Sequence, residues 1–278
     1  MSESSGGDDA ASGTDAPDAT EGADTTDAPS DTSSSAPGTE QTVAGDAAPV
    51  VVCFDMDGVL VDSEDYWHDA EREEILPAVL DGAYPDLDEV TGMYYGEIYD
   101  YLDAEYDTTV SKAEFMALYD ETARTIYGER VALLDGAADF VASLRAEGVP
   151  VALVSSSPRD WIETVLDRFD LVFDLVAPAE EFDGPGKPEP GLFEAAIADL
   201  GGVTARTVVI EDSENGVLAA SRSGAYTVAV RDEHNADTDL SAADEVVDRS
   251  DPEALYAAVR QSTRTIRESV SGSNGRSG

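Results

Sequence analysis

Asp55 and Asp57 stand one residue apart, followed by Gly58, at the end of the apolar run from Val50 to Phe54. A strand covered on both faces is apolar throughout instead of alternating, so this run reads as a buried parallel strand. Such a strand delivers its last residues to the carboxyl edge of an open α/β sheet, where ligands bind. Residues two apart on a strand share a face, so the two carboxylates point to one spot. Like charges disfavour each other's ionisation, and a converging pair calls for a cation, a shared proton or separation. The plain alternative is a solvated loop in a chain rich in acids.

Two later apolar runs also end in polar groups: Val151–Val154 stops at Ser155, and Thr207–Ile210 stops at Glu211 and Asp212. Between them, Lys187 lies in the loop Gly184-Pro185-Gly186-Lys187-Pro188-Glu189-Pro190. Carboxylates, a hydroxyl and an ammonium at one sheet edge suit a hard divalent cation and a phosphate. Mg2+ takes oxygen ligands, typically one or two carboxylates with water and phosphate oxygens. A serine at a strand-to-helix turn adds a hydroxyl and backbone N–H donors for an oxyanion, and lysine serves as a point charge on phosphate. Each residue has a structural alternative: Ser155 as a helix N-cap, Lys187 as a solvated turn residue, Glu211 behind the metal instead of on it.

The elements that must position these groups follow from periodicity. After the first strand, residues 62 to about 133 show helical spacing with no evident strand. Ser111-Lys112-Ala113-Glu114 is a capping-box start, and Phe115, Leu118, Tyr119, Ala123 and Ile126 then fall on one face. From Asp135 strands and helices alternate: helix 137–147, strand 151–154, helix 160–169, strand 172–176, helix 191–200, strand 207–210, helix 217–223, strand 225–230 and strand 245–247. That order predicts an α/β fold, a doubly wound parallel sheet with an all-helical insertion.

The 278 residues carry 60 acids against 16 bases, a net charge of −44, and the bases divide into fourteen Arg and two Lys. Charge of this sign excludes nucleic acid or an anionic membrane surface as the main partner. It also strains a compact fold at ordinary ionic strength, whereas in molar salt the Debye length falls to about 3 Å. A halophilic protein of a salt-loaded cytoplasm, with most carboxylates as a solvated face, is the expectation. Residues 1–47 contain eleven acids, no Lys or Arg and no aromatic side chain, the composition of a disordered acidic tail. Residues 261–278 are read as a flexible tail. No apolar run is long enough to cross a membrane and no signal peptide is evident. Cys53 is the only cysteine, so the chain has no internal disulfide.

Asp55-Met56-Asp57-Gly58-Val59, Val151–Ser155, Gly186-Lys187-Pro188-Glu189-Pro190 and Ile210-Glu211-Asp212-Ser213 occur in the order and rough spacing of the four motifs of the haloacid dehalogenase (HAD) superfamily. With a helical segment inserted after the first motif, the chain resembles the phosphatase and β-phosphoglucomutase-like branch. The likeness covers residues 49 to 258. It implies a Rossmann-like HAD core of residues 48–62 and 134–260 and a helical cap of residues 63–133. It further implies Asp55 as nucleophile forming an aspartyl-phosphate, and Asp57 as acid/base with its backbone carbonyl on Mg2+. Ser155 and Lys187 would hold the transferring phosphoryl group, and Asp212 with Glu211 would complete the metal site begun by Asp55 and Asp57. Asp57 argues against dehalogenation, which lacks this second carboxylate, and a transport ATPase of the same core would carry threonine there and membrane spans.

The loop Thr91-Gly92-Met93-Tyr94-Tyr95-Gly96-Glu97 lies where related proteins present a specificity loop. β-Phosphoglucomutases place a basic residue there, whereas this loop offers Tyr94, Tyr95, Gly96 and Glu97, a departure that weakens the mutase reading unless Arg72, Arg124 or Arg159 substitutes. Tyr94, Tyr95 and Tyr99 could stack on a sugar or pack the cap core, and His68 could reach the cleft or be structural. His234, in a polar loop, carries no site assignment. The implied function is a Mg2+-dependent hydrolase of a small phosphorylated metabolite, a sugar phosphate or phosphoglycolate. The alternatives are a phosphomutase and a non-catalytic binding or regulatory protein on the same scaffold. The implied assembly is a monomer or weak homodimer.

Overall fold

A computed structural model describes residues 48–90 and 93–273. The acidic segment 1–47, Thr91, Gly92 and residues 274–278 lie outside the described residues, and with them the expectation of a disordered N-terminal tail. Six parallel strands form one sheet: β1 (Val51–Phe54), β2 (Val151–Ser155), β3 (Leu175–Pro178), β4 (Thr207–Glu211), β5 (Tyr226–Arg231) and β6 (Glu245–Asp248). Their order, β3-β2-β1-β4-β5-β6, reverses direction between β1 and β4, the switch point at which doubly wound sheets bind ligands.

Burial explains why β1 reads as a continuous apolar run. Val52 and Phe54 join the core on one face with Leu153, Val208, Ile210, Phe140 and Val259. Val51 and Cys53 face the other way, into a second core with Ala152, Val154, Leu192, Phe193, Ile197 and Ala220. The first core is closed by α5 (Ala137–Ala146) and α9 (Pro252–Ser273), the second by α7 (Gly191–Asp199) and α8 (Glu214–Ser223). α6 (Arg159–Phe169) packs Ile162 and Val165 into the first core. Among the described residues no helix is long and apolar enough to cross a membrane.

Between β1 and α5 the chain is helical: α1 (Glu64–Ala70), a π-helical turn (Glu71–Ile75), α2 (Leu76–Val79), α3 (Tyr95–Glu105) and α4 (Lys112–Thr125), with a second π-helical turn at Ile126–Arg130. The capping box at Ser111 forms as the sequence predicts, Ser111 N–H donating to Glu114 Oε2 at 2.9 Å. Tyr99 packs on Phe115 and donates to the Val110 carbonyl at 2.9 Å, a role in the helical core.

Two sequence expectations are corrected. Residues 261–273 are not a loose tail but the continuation of α9. Leu255, Val259, Ser262 and Thr263 are buried, and Ile266 packs against the core, so the helical period runs on through small polar residues that read as loop. The strand expected at 172–176 begins instead at Leu175. Asp174 is taken out of it by its carboxylate, which accepts from Val151 N–H at 3.0 Å and from the Arg145 guanidinium at 2.8 Å.

Candidate active site

The register of the sheet assembles the site. Phe54 pairs with Leu153 on one side and Ile210 on the other, so the next residues out, Asp55, Val154 and Glu211, lie in a row across the carboxyl edge. Lys187 reaches into that row from its loop. Its Nζ donates to Asp55 Oδ1 at 2.6 Å, to Glu211 Oε1 at 2.6 Å and to the Val154 carbonyl at 3.2 Å. Burial opposes the Lys187 charge, but the two carboxylates prevail and raise its proton affinity above the ordinary value. The solvated-turn alternative for this lysine is thus set aside: its side chain is 3% exposed.

Asp55, Glu211 and Asp212 each place a carboxylate oxygen within 4.8 Å of the others, all three residues buried. Burial first, then mutual repulsion, pushes the Asp55 and Asp212 carboxyls well above the usual range, only partly offset by Lys187. One ammonium among three close carboxylates leaves a deficit of positive charge, which a divalent cation would fill. The donors are hard oxygens, which fits Mg2+.

Two glycines make room for this cluster. Gly58 has φ +69°, and a Cβ there would stand 1.8 Å from Asp212 Oδ2. A Cβ on Gly216, in the first turn of α8, would stand 1.9 Å from Glu211 Oε1. Glu211 Oε2 accepts from the backbone N–H groups of Asp212 (2.9 Å) and Ser213 (3.2 Å) and from the Ser213 hydroxyl (3.1 Å). Glu211 therefore anchors Lys187 with one oxygen and the β4–α8 turn with the other.

Asp57 points away from this cluster. Its Oδ1 accepts from the Ser63 hydroxyl at 2.5 Å and from Tyr127 at 2.7 Å, and its Oδ2 accepts from Ser157 at 2.7 Å. Alternation alone predicts one shared spot for Asp55 and Asp57, but the chain leaves the strand after Phe54, and the Asp57 side chain turns toward the helical insertion. Ser155, 1% exposed, ends β2 and accepts from Ser157 N–H at 3.1 Å. The N-cap position of α6 is Pro158, so Ser155 is not a cap.

Asp55, Asp57, Ser155, Lys187 and Asp212 share one cavity of about 770 Å3 with residues of α1, α3 and α4. Of the specificity residues expected from sequence, His68 and Tyr95 line it, whereas Tyr94 and Glu97 line a smaller cavity of about 40 Å3 that Ser156 and Lys187 share with it. Gly96 lines neither; a Cβ there would come within 2.6 Å of the Tyr94 ring. The basic substitutes do not reach the cavity either. Arg72 is exposed, Arg124 pairs with Glu121, and Arg159 pairs with Glu181.

Several lining residues escaped the sequence reading. His234 Nε2 lies 3.0 Å from Asp212 Oδ2, and Asn235 Nδ2 donates to the Asp212 carbonyl at 2.8 Å. Tyr127 binds Asp57 while Trp67 Nε1 donates to its hydroxyl at 2.9 Å. Tyr127 and Trp67 sit at positions that read as packing residues, and the His234 loop has no periodic signal. Only Ser157, beside Ser155 in a serine triplet before a helix, had a readable cue.

The chain is thus a doubly wound α/β protein with a buried lysine–carboxylate cluster at its switch point and a helical insertion after β1. The haloacid dehalogenase-like hydrolase family model matches residues 50–224, and the chain belongs to that family. It is 32% identical over 181 residues to hexitol phosphatase B of Escherichia coli K12, covering 64% of this chain and 81% of that one. It is 29% identical to validoxylamine A 7'-phosphate phosphatase of Streptomyces hygroscopicus subsp. limoneus, covering 67% of this chain and 88% of that one. A β-phosphoglucomutase from Clostridium difficile has the same fold at a TM-score of 0.62 and 20% identity, covering 78% of this chain and 98% of that one.

Proposed function

We propose that this protein is a phosphoric monoester hydrolase acting on a small phosphorylated metabolite of sugar or polyol type, through a covalent phosphate on Asp55. The observation that carries the reading is the buried Asp55 carboxylate, held at 2.6 Å by Lys187 on the floor of the cavity. The naming of two relatives as hexitol phosphatase B and validoxylamine A 7'-phosphate phosphatase supports the substrate class.

In this reading Asp55 attacks phosphorus, forming a P–O bond as the bond to the leaving alcohol breaks. Asp57 gives its proton to the departing oxygen, then takes one from the water that attacks the phospho-aspartate and releases phosphate. Ser63, Tyr127 and Ser157 orient the Asp57 carboxyl for that exchange. Lys187 and Ser155 bind the equatorial phosphoryl oxygens, where phosphoryl transfer concentrates charge. Asp55, Asp212 and the Asp57 backbone carbonyl would hold Mg2+, with Glu211 steering Lys187 and the β4–α8 turn. When bound, the ion supplies charge neutralisation for the phosphate.

A phosphomutase needs a grip for a second phosphate, and among the described residues no Arg or second Lys lines the cavity, which favours hydrolysis. A binding protein without catalysis has no need of Asp55, Asp57, Lys187 and Asp212 together. The test is phosphate release from a panel of phosphorylated metabolites in molar KCl, with and without Mg2+, wild type beside Asp55→Asn. Mg2+-dependent release abolished by the substitution is expected; no release from any compound by a folded wild type overturns the reading.

A further inference from the structure

The substrate-facing wall of the cavity has a composition that says which alcohol it accepts. Among the described residues ten carboxylates line the cavity against one ammonium, Lys187, and two histidines. Lys187 is already matched by Asp55 and Glu211. On the side of the helical insertion the charged lining residues besides His68 are Glu64, Glu71 and Glu89.

A chain of contacts leads from the site of chemistry to one of these acids. Asp57 accepts from Tyr127, whose hydroxyl accepts from Trp67 at 2.9 Å. Trp67 stacks on Tyr119 at 5.4 Å and on Trp161 at 5.2 Å, with interplanar angles of 19° and 23°. The Tyr119 hydroxyl donates to Glu71 Oε1 at 2.9 Å. The rings spend their faces on one another, so the wall is rigid and apolar, and Glu71 is a polar point set into it. Glu71 is 7% exposed yet lines the cavity.

A buried carboxylate without a cation is costly, and its pairing with a ligand donor recovers part of that cost. A second anion beside Glu71 would meet a buried carboxylate, where repulsion is screened less than between solvent-exposed charges.

We propose that Glu71, set in the wall formed by Trp67 and Tyr119, determines specificity for the leaving alcohol. It selects phosphomonoesters whose alcohol donates hydrogen bonds and carries no second anion, an ammonium being accepted at least as well as a hydroxyl. Phosphorylated hydroxy acids, phosphoglycolate among them, and sugar bisphosphates are excluded. The inference rests on the hydrolase reading only in placing the phosphate at Asp55.

The test is equilibrium binding to the Asp55→Asn protein with Mg2+ in molar KCl at pH 8, comparing glucosamine 6-phosphate, glucose 6-phosphate and 6-phosphogluconate. The carboxylate compound should bind about tenfold or more weaker than the neutral sugar, and the amino sugar at least as tightly as the neutral one. Adding Glu71→Gln should narrow that spread. Glu71→Asp, which keeps the carboxylate, should retain the order of the three affinities and serves if the glutamine substitution impairs folding. Equal affinity for the three, a spread that a folded Glu71→Gln protein leaves unchanged, tightest binding of 6-phosphogluconate, or no binding of any overturns the proposal. Because binding is read without turnover, a wild type that releases no phosphate counts against the hydrolase reading alone.

Discussion

Glu71→Gln should make the protein more stable at alkaline pH and leave it unchanged in acid. Burial pushes the Glu71 carboxyl from 4.5 to about 7, opposed by the Tyr119 hydrogen bond to its ionised form. A folded-state value above the unfolded one means the acid form is the one that fits. The contribution of Glu71 to stability is therefore fully present below about pH 4.5 and is lost as pH rises through about 7. At about 1.4 kcal/mol per pH unit, the rise from 4.5 to about 7 corresponds to about 3 kcal/mol. Glutamine keeps the shape and an oxygen for Tyr119 but cannot ionise. The difference in unfolding free energy, variant minus wild type, should be near zero at pH 4.5 and rise toward about 3 kcal/mol by pH 8. Urea unfolding of both proteins in the same molar KCl, at half-unit pH steps, measures it, and other titrating groups cancel in the subtraction. A difference that stays flat across pH 5–8 would mean that Glu71 is solvated in the folded state.

Three further outcomes follow from the site. Lys187→Met leaves Asp55 and Glu211 uncompensated where Lys187 now bonds both at 2.6 Å. It should cost about 3–5 kcal/mol of stability, with part recovered by adding Glu211→Gln; a loss under about 1 kcal/mol in urea titration would contradict the buried pairing. Gly58→Ala should weaken divalent-cation affinity as well as stability, because its φ of +69° suits glycine and its Cβ would displace Asp212; calorimetric Mg2+ titration showing an unchanged constant would argue against Asp212 in the metal site. Cys53 is fully buried, and burial pushes its thiol up to about 12, so an aromatic disulfide reagent should leave the native protein unmodified and label it only under denaturant; rapid native labelling would show that β1 is not where the fold places it.

The sheet and the chemistry at its edge were legible in local sequence pattern. Runs such as Val50–Phe54 and Val151–Val154 can be apolar throughout only if both faces are covered, and residues just past such runs must emerge at one edge. Asp55, Ser155, Glu211 and Asp212 are therefore legible from local pattern, and Lys187 from its motif. The N-terminus of α4 was likewise legible, because a capping box is a local bond between Ser111 and Glu114. Tertiary structure alone decided what the side chains face. Asp57 turns from Asp55 because Ser63, Tyr127 and Ser157, up to 100 residues distant, offer three hydroxyl donors. Tyr127, Trp67 and Glu71 read as ordinary helix residues, and only packing of the insertion against the sheet edge brings them to the cavity. His234 and Asn235 reach Asp212 from a loop with no period to read. The long α9 escaped for a related reason: Ser262 and Thr263 look solvated in sequence, and only tertiary packing buries them. Periodicity records which residues leave water, whereas the partner each one meets is fixed by contacts distant in the chain.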